Sequence, residues 1–207
     1  MADIDAYKDK FSESGRKVLE SALDESKRRD QNYVAIEHIL HAVAKEEDDL
    51  FTSTMRDLAV DPRSVKLLIE KRIASGRQHT GKGYRIAPET TELFKRAMDR
   101  ARSQGRRVIE GSDIFYVLSN DERSVLNDVL QNLGVPADEV AQTARTRIRK
   151  REKEEERTRA KYELPSFLRH FGVSMNKLAR EDKIPPTIGR EKEILQMIEI
   201  LSHRERS

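Results

Sequence analysis

The chain has 207 residues, 40 of them Lys or Arg and 37 Asp or Glu, for a formal charge of +3. It has no cysteine, which excludes disulfides, thiolate catalysis and thiolate metal sites and makes a reducing, cytoplasmic setting the expectation. Apolar residues make up 36% and charged residues 37%; no apolar run is long enough to span a membrane, and Leu, Ile and Val recur at helical spacing.

The pattern repeats at an offset of 75: residues 11–73 lie over 86–148 without a gap. Phe11 falls on Ile86, Val18 and Leu19 on Leu93 and Phe94, Val34 on Ile109, Ile39 on Ile114, and Val65 on Val140. Apolar positions agree better than polar ones, as expected when two copies keep one packing scheme and different surfaces. In the first copy, Ser12 is expected to cap a helix running to about Arg29, striped by Val18, Leu19, Ala22 and Leu23. A second helix is expected near Ala35 to Ala44 and a third near Leu50 to Leu58. Asp61-Pro62 reads as a cap followed by proline at the first position of a fourth. In the second copy Pro88 opens a helix that Gly105 ends, Ser112 is expected to cap Asp113 to Leu118, Gly134 closes a third helix, and Pro136 begins the fourth.

Ala74 to Gly83 reads as a surface loop between the copies. Arg149 to Lys161 carries eleven charged residues in thirteen, a linker or an extension of the last helix. Pro185-Pro186-Thr187-Ile188-Gly189-Arg190 leads into an apolar-striped segment, Glu191 to Leu201. The fold class is therefore all-α: a duplicated four-helix unit forming a compact bundle of about eight helices, then a charged linker and a short helical segment. The expected domains are 1–148 (repeats 11–73 and 86–148), 149–164 as linker, and 165–207.

Glu37 sits at the start of the second helix, either as a carboxylate favoured by the helix dipole or as a surface anion for a partner's basic side chain. His38 and His41 lie three apart without a third ligand at convincing spacing, so no metal site is read; nor is a nucleophile with base and orienting group visible, so no catalytic residue is assigned. Phe11, Tyr84, Ile86 and Tyr116 are mostly expected in the core, but any that line a cleft between the copies, beside Glu13, Glu37 and Glu110, would suit a basic or amphipathic segment of another protein.

The stretch Ala35-Ile36-Glu37-His38-Ile39-Leu40, with Phe11-Ser12-Glu13 and Arg16-Lys17-Val18-Leu19, resembles the repeat signature in the N-terminal region of Clp/Hsp100 AAA+ unfoldases, nearest the ClpC- and ClpA-like types. Pro185 to Glu193 resembles the start of their first ATPase domain. The resemblance implies a substrate- or adaptor-binding module tethered above a homo-hexameric ring that uses ATP and magnesium to unfold proteins, often for a ClpP-like protease. Its partners would be adaptor proteins or unfolded or tagged substrates. Some ClpC-like relatives bind phosphorylated arginine through the glutamate matching Glu37 and its repeat equivalent; here that equivalent is Ser112, beside Asp113 and near Glu110 and Tyr116, a departure from the paired pattern. Ile188, Gly189 and Arg190 match the stretch that lies against adenine. No Gly-rich loop ending in Lys and Ser/Thr occurs, so residues 1–207 are not expected to hydrolyse ATP and hold no cofactor of their own. Two other classes compete: a structural or oligomerisation module, and a helical nucleic-acid binder using Arg100, Arg102, Arg106 and Arg107, which the interspersed charge disfavours.

Overall fold

The computed structural model describes residues 2–3, 9–74, 85–162, 175, 178, 183 and 190–202. Among them the first copy forms α1 (Glu13–Arg28), α2 (Ile36–Glu46), α3 (Asp48–Asp57) and α4 (Pro62–Ala74). The second forms α5 (Pro88–Ser103), α6 (Gly111–Asn120), α7 (Val125–Gln131) and α8 (Ala137–Tyr162). The expected starts hold at α1, where Ser12 Oγ accepts the Gly15 N–H at 3.3 Å, and at α4, where Asp61 accepts the Ser64 N–H at 3.0 Å. They fail at α6. That helix begins at Gly111, and Ser112 lies inside it, because the Asp113 carboxylate turns back to accept the Glu110 N–H at 2.9 Å.

Four helix ends follow the same rule in both copies. Val60 N–H reaches the Met55 carbonyl at 2.9 Å around Ala59, and Val135 N–H reaches Leu130 at 3.0 Å around Gly134. The same closure turns on Asp30 after α1 and Gly105 after α5. All four pivots are left-handed, with φ of 54° at Ala59, 83° at Gly134, 53° at Asp30 and 74° at Gly105.

The copies interlock. Three two-residue strands, β1 (Ala2–Asp3), β2 (Tyr33–Val34) and β3 (Arg85–Ile86), form a sheet in the order β1-β3-β2, with β3 parallel to β2 and antiparallel to β1. Val34 pairs with Ile86, and its repeat-related counterpart is the parallel bridge between Phe11 and Ile109. Each copy's leading residue thus pairs with the other copy's second-helix loop. Two ion pairs cross in the same sense: Arg72 of α4 meets Asp128 of α7 at 3.1 Å, and Arg147 of α8 meets Asp57 of α3. One apolar core results, in which the Phe11 and Phe94 rings meet edge-on at 5.0 Å and Phe51 and Phe115 at 6.3 Å.

The chain divides into two units, Met1–Glu152 and Lys153–Ser207. In the second, α8 continues to Tyr162, so this much of the charged stretch is helix, and α9 (Glu191–Ser202) exposes Leu195, Met197 and Ile198. Among the described residues no helix is long and apolar enough to cross a membrane.

Candidate partner-binding grooves

Two grooves on the body share part of their lining through the duplication. The first, about 280 Å³, lies between α5, the start of α2 and the α6–α7 corner. Ile36, Leu93, Val117, Leu118 and Val125 form its floor, and Glu89, Glu92, Arg96, Asp121 and Arg123 its rim. The second, about 430 Å³, is lined by Ser12, Glu13, Ser14, Lys17, Glu46, Glu47, Glu110 and Arg151. Ser14, Lys17 and Glu46 in the second stand where Glu89, Glu92 and Asp121 stand in the first.

Besides these exchanges, one beside the groove floor changes its shape. Ile36 of the apolar groove corresponds to Gly111, which lies against Glu47 of the acidic one. A Cβ on Gly111 would land on the Glu47 carboxylate, so glycine there lets Glu47 fold inward and cover the floor. Glu47 is buried, and Arg151 from α8 pairs with it. The first groove keeps apolar side chains at its base. The second presents four carboxylates against two cations, a field that favours positive charge.

Beneath the starts of α2 and α6 lie two polar clusters centred on the buried His38 and Asp113, related by the same offset but with their charges exchanged. Glu25, Gln31, His38, His41 and Glu70 in the first copy correspond to Arg100, Arg106, Asp113, Tyr116 and Arg145 in the second. Asp113 is fully buried and fully used: Arg106 donates to it at 2.6 and 2.8 Å, Arg100 at 2.5 Å, and the Glu110 N–H at 2.9 Å. Arg100 also lies over the Tyr116 ring, 4.3 Å from its centroid. In the first copy His38 Nδ1 accepts the Ala35 N–H at 3.1 Å, the role Asp113 has in the second. Burial pushes the His38 imidazole down to about 4. Burial works to raise the Glu25 carboxyl, but hydrogen bonds from Arg28 and Arg29 outweigh it and hold it down to about 2. Among the described residues no set of three His, Asp or Glu side chains is arranged to hold a metal ion.

The structure separates the residues singled out from the sequence. Glu13 and Glu110 line the acidic groove together. Glu37 is half-buried in the first turn of α2, next to the Ile36 of the apolar groove but not lining it. Ser112 and Asp113 are buried, so Asp113 offers no free carboxylate to a partner; its charge is spent on Arg100 and Arg106. Those two arginines are correspondingly withdrawn from any phosphate-binding face. Tyr116 is half-buried beneath Arg100, while Phe11 and Ile86 belong wholly to the core. Arg190 is exposed beside Glu193 at 3.4 Å. Tyr84, Ile188 and Gly189 lie outside the described residues. Sequence reasoning passed over Glu46, Glu47, Arg151 and the Leu93–Val117–Val125 floor; applying the repeat offset to polar positions as well would have paired Glu46 with Asp121.

Residues 10–133 match the Clp repeat (R) N-terminal domain family. The chain is 28% identical over 203 residues to the chaperone protein ClpB of Oceanobacillus iheyensis, covering 94% of this chain and 24% of that protein. It is 27% identical over 197 residues to the negative regulator of genetic competence ClpC/MecB of Bacillus subtilis, with the same two coverages of 94% and 24%. The chain thus spans about a quarter of the length of these curated relatives. Among solved structures, the Hsp104 N-terminal domain from Candida albicans superposes with a TM-score of 0.57 at 12% identity, over 65% of this chain and 88% of that one, a likeness of fold.

Proposed function

The chain belongs to the Clp repeat N-terminal domain family, and on that premise we propose that residues 1–148 receive adaptor or substrate polypeptide for an ATP-driven Clp unfoldase whose first ATPase domain opens within 165–207. The observation that carries this reading is the pair of repeat-related grooves on one interlocked body, one with an apolar floor and charged rim, the other acidic. An apolar side chain suits the first groove and a basic one the second, since apolar burial supplies affinity and charge supplies orientation. Glu13, Glu37 and Glu110 are the carboxylates assigned to partner contact, together with Tyr84 and Tyr116, while the buried Ser112 and Asp113 support the start of α6. Ile188, Gly189 and Arg190 are assigned to the adenine side of that ATPase domain's nucleotide site. The hexameric ring, ATP with magnesium, a ClpP-like protease and a cytoplasmic setting belong to the same proposal.

The test is fluorescence anisotropy with labelled, permanently unfolded casein. Val125→Asp in the apolar groove and the pair Glu13→Lys/Glu110→Lys in the acidic one should each weaken binding about tenfold or more, with helicity unchanged by circular dichroism. Glu37→Ala should also weaken it. Undiminished binding in all three variants would move the interface elsewhere, and concentration-dependent self-association in light scattering without casein binding would favour an oligomerisation module.

A further inference from the structure

Two consecutive residues at the end of the first unit reach different parts of the body. Arg151 pairs with Glu47 at the α2–α3 corner of the first copy. Glu152 accepts a hydrogen bond at 3.0 Å from Arg100 on α5 of the second copy. Neighbouring helix positions point about 100° apart, so one turn of α8 can hold both copies at once.

The receiving side is built for this. The Glu47 side chain is only 4% exposed, and Gly111 leaves it the room a Cβ would take. Arg100 is itself fixed by Asp113 and by the face of Tyr116. Both α8 residues lie past position 148, where the repeat ends. The clasping turn therefore lies outside the duplicated segments. It coincides with the boundary of the compact unit at Glu152.

We propose that Arg151 and Glu152 form a two-point clasp that fixes where the rigid two-copy body ends and the charged remainder of α8 begins, with Arg151 closing the acidic groove in cis. Removing Arg151 leaves the buried Glu47 carboxylate unmatched, so release at Glu47 loosens the turn. The inference stands on chain geometry and holds whether or not a partner enters the groove.

Hydrogen–deuterium exchange on the 207-residue chain tests it. Arg151→Met should speed exchange of the amides of residues 150–158 about tenfold, while those of α1, α2 and α5 stay within about twofold of wild type. Glu47→Gln should do the same, and the double variant should exceed neither single by more than about twofold, because both remove one interaction. Unchanged exchange in Arg151→Met, or effects that multiply in the double variant, would overturn the clasp. Should Glu47→Gln loosen α2 itself, Arg151→Met decides alone, since it alters only the more exposed partner.

Discussion

Ala59 and Gly134 do the same work under different constraints. Each pivots a helix end in left-handed backbone, but only alanine has a Cβ to strain against the following carbonyl. That strain costs about 1–2 kcal/mol, and glycine's greater freedom in the unfolded chain returns roughly 0.4–1 kcal/mol of it. Ala59→Gly should therefore raise the stability of the domain by about 0.5–1 kcal/mol, and Gly134→Ala should lower it by a similar amount, read as opposite shifts of the urea midpoint at unchanged slope. A loss of stability in Ala59→Gly would mean that packing, not backbone strain, rules this turn. The pivots also mark what single residues disclose. Gly105 and Gly134 announced their helix ends by residue type; the ends expected near Arg29 and Leu58 were legible too, but nothing in Asp30 or Ala59 disclosed that they take the same left-handed conformation.

At the scale of one element, the start of α2 ties a titrating group to helix integrity. Neutral His38 accepts the Ala35 N–H; a protonated ring has no lone pair with which to do so. Its folded value of about 4 lies below the ordinary 6.5, so between those pH values the unfolded chain binds a proton that the folded chain refuses. Stability contributed by the neutral ring is present above 6.5 and falls as pH drops toward 4. The loss between pH 7 and pH 5 is on the order of 2 kcal/mol. Glu25, held at about 2, loses its contribution only below the ordinary carboxylate value of 4.5, so the upper part of the window belongs to His38. His38→Gln keeps an acceptor for the cap and removes the titration. Denaturant titrations at pH 7 and pH 5 should show a smaller drop in the variant than in wild type; equal drops would assign the slope to other groups. The element scale is also where reading by residue type went astray. Ser112 looked like the cap of α6, but Asp113, one residue on, supplies the acceptor and Glu110 the donor, and a serine in the first turn of a helix is indistinguishable by composition from one just before it. The two-residue strands left no alternation to detect, since period two needs more than two residues to show.

For the molecule as a whole, the apolar periodicity exposed the duplication, because buried positions in both copies answer to the same packing. The groove contents were less legible. Glu47 and Arg151 are 104 residues apart in sequence, and no local pattern ties a carboxylate at a helix corner to an arginine beyond the repeat. What the interlocking adds is a dependence of each copy on the other. Phe11 packs on Phe94, Phe51 on Phe115, Val34 pairs with Ile86 and Phe11 with Ile109. Truncating a single buried Phe costs about 3–5 kcal/mol, against a total stability of about 5–15 kcal/mol for an ordinary domain. Removing one copy uncovers several such side chains at once, and a segment of some sixty residues has little spare core to offset them. Residues 9–74 and 85–152, expressed separately, should therefore each show weak helicity and no cooperative unfolding, while an equimolar mixture recovers both. A cooperative melt from either half alone would mean that the copies are independent domains, and the two grooves could then no longer be treated as faces of one rigid body.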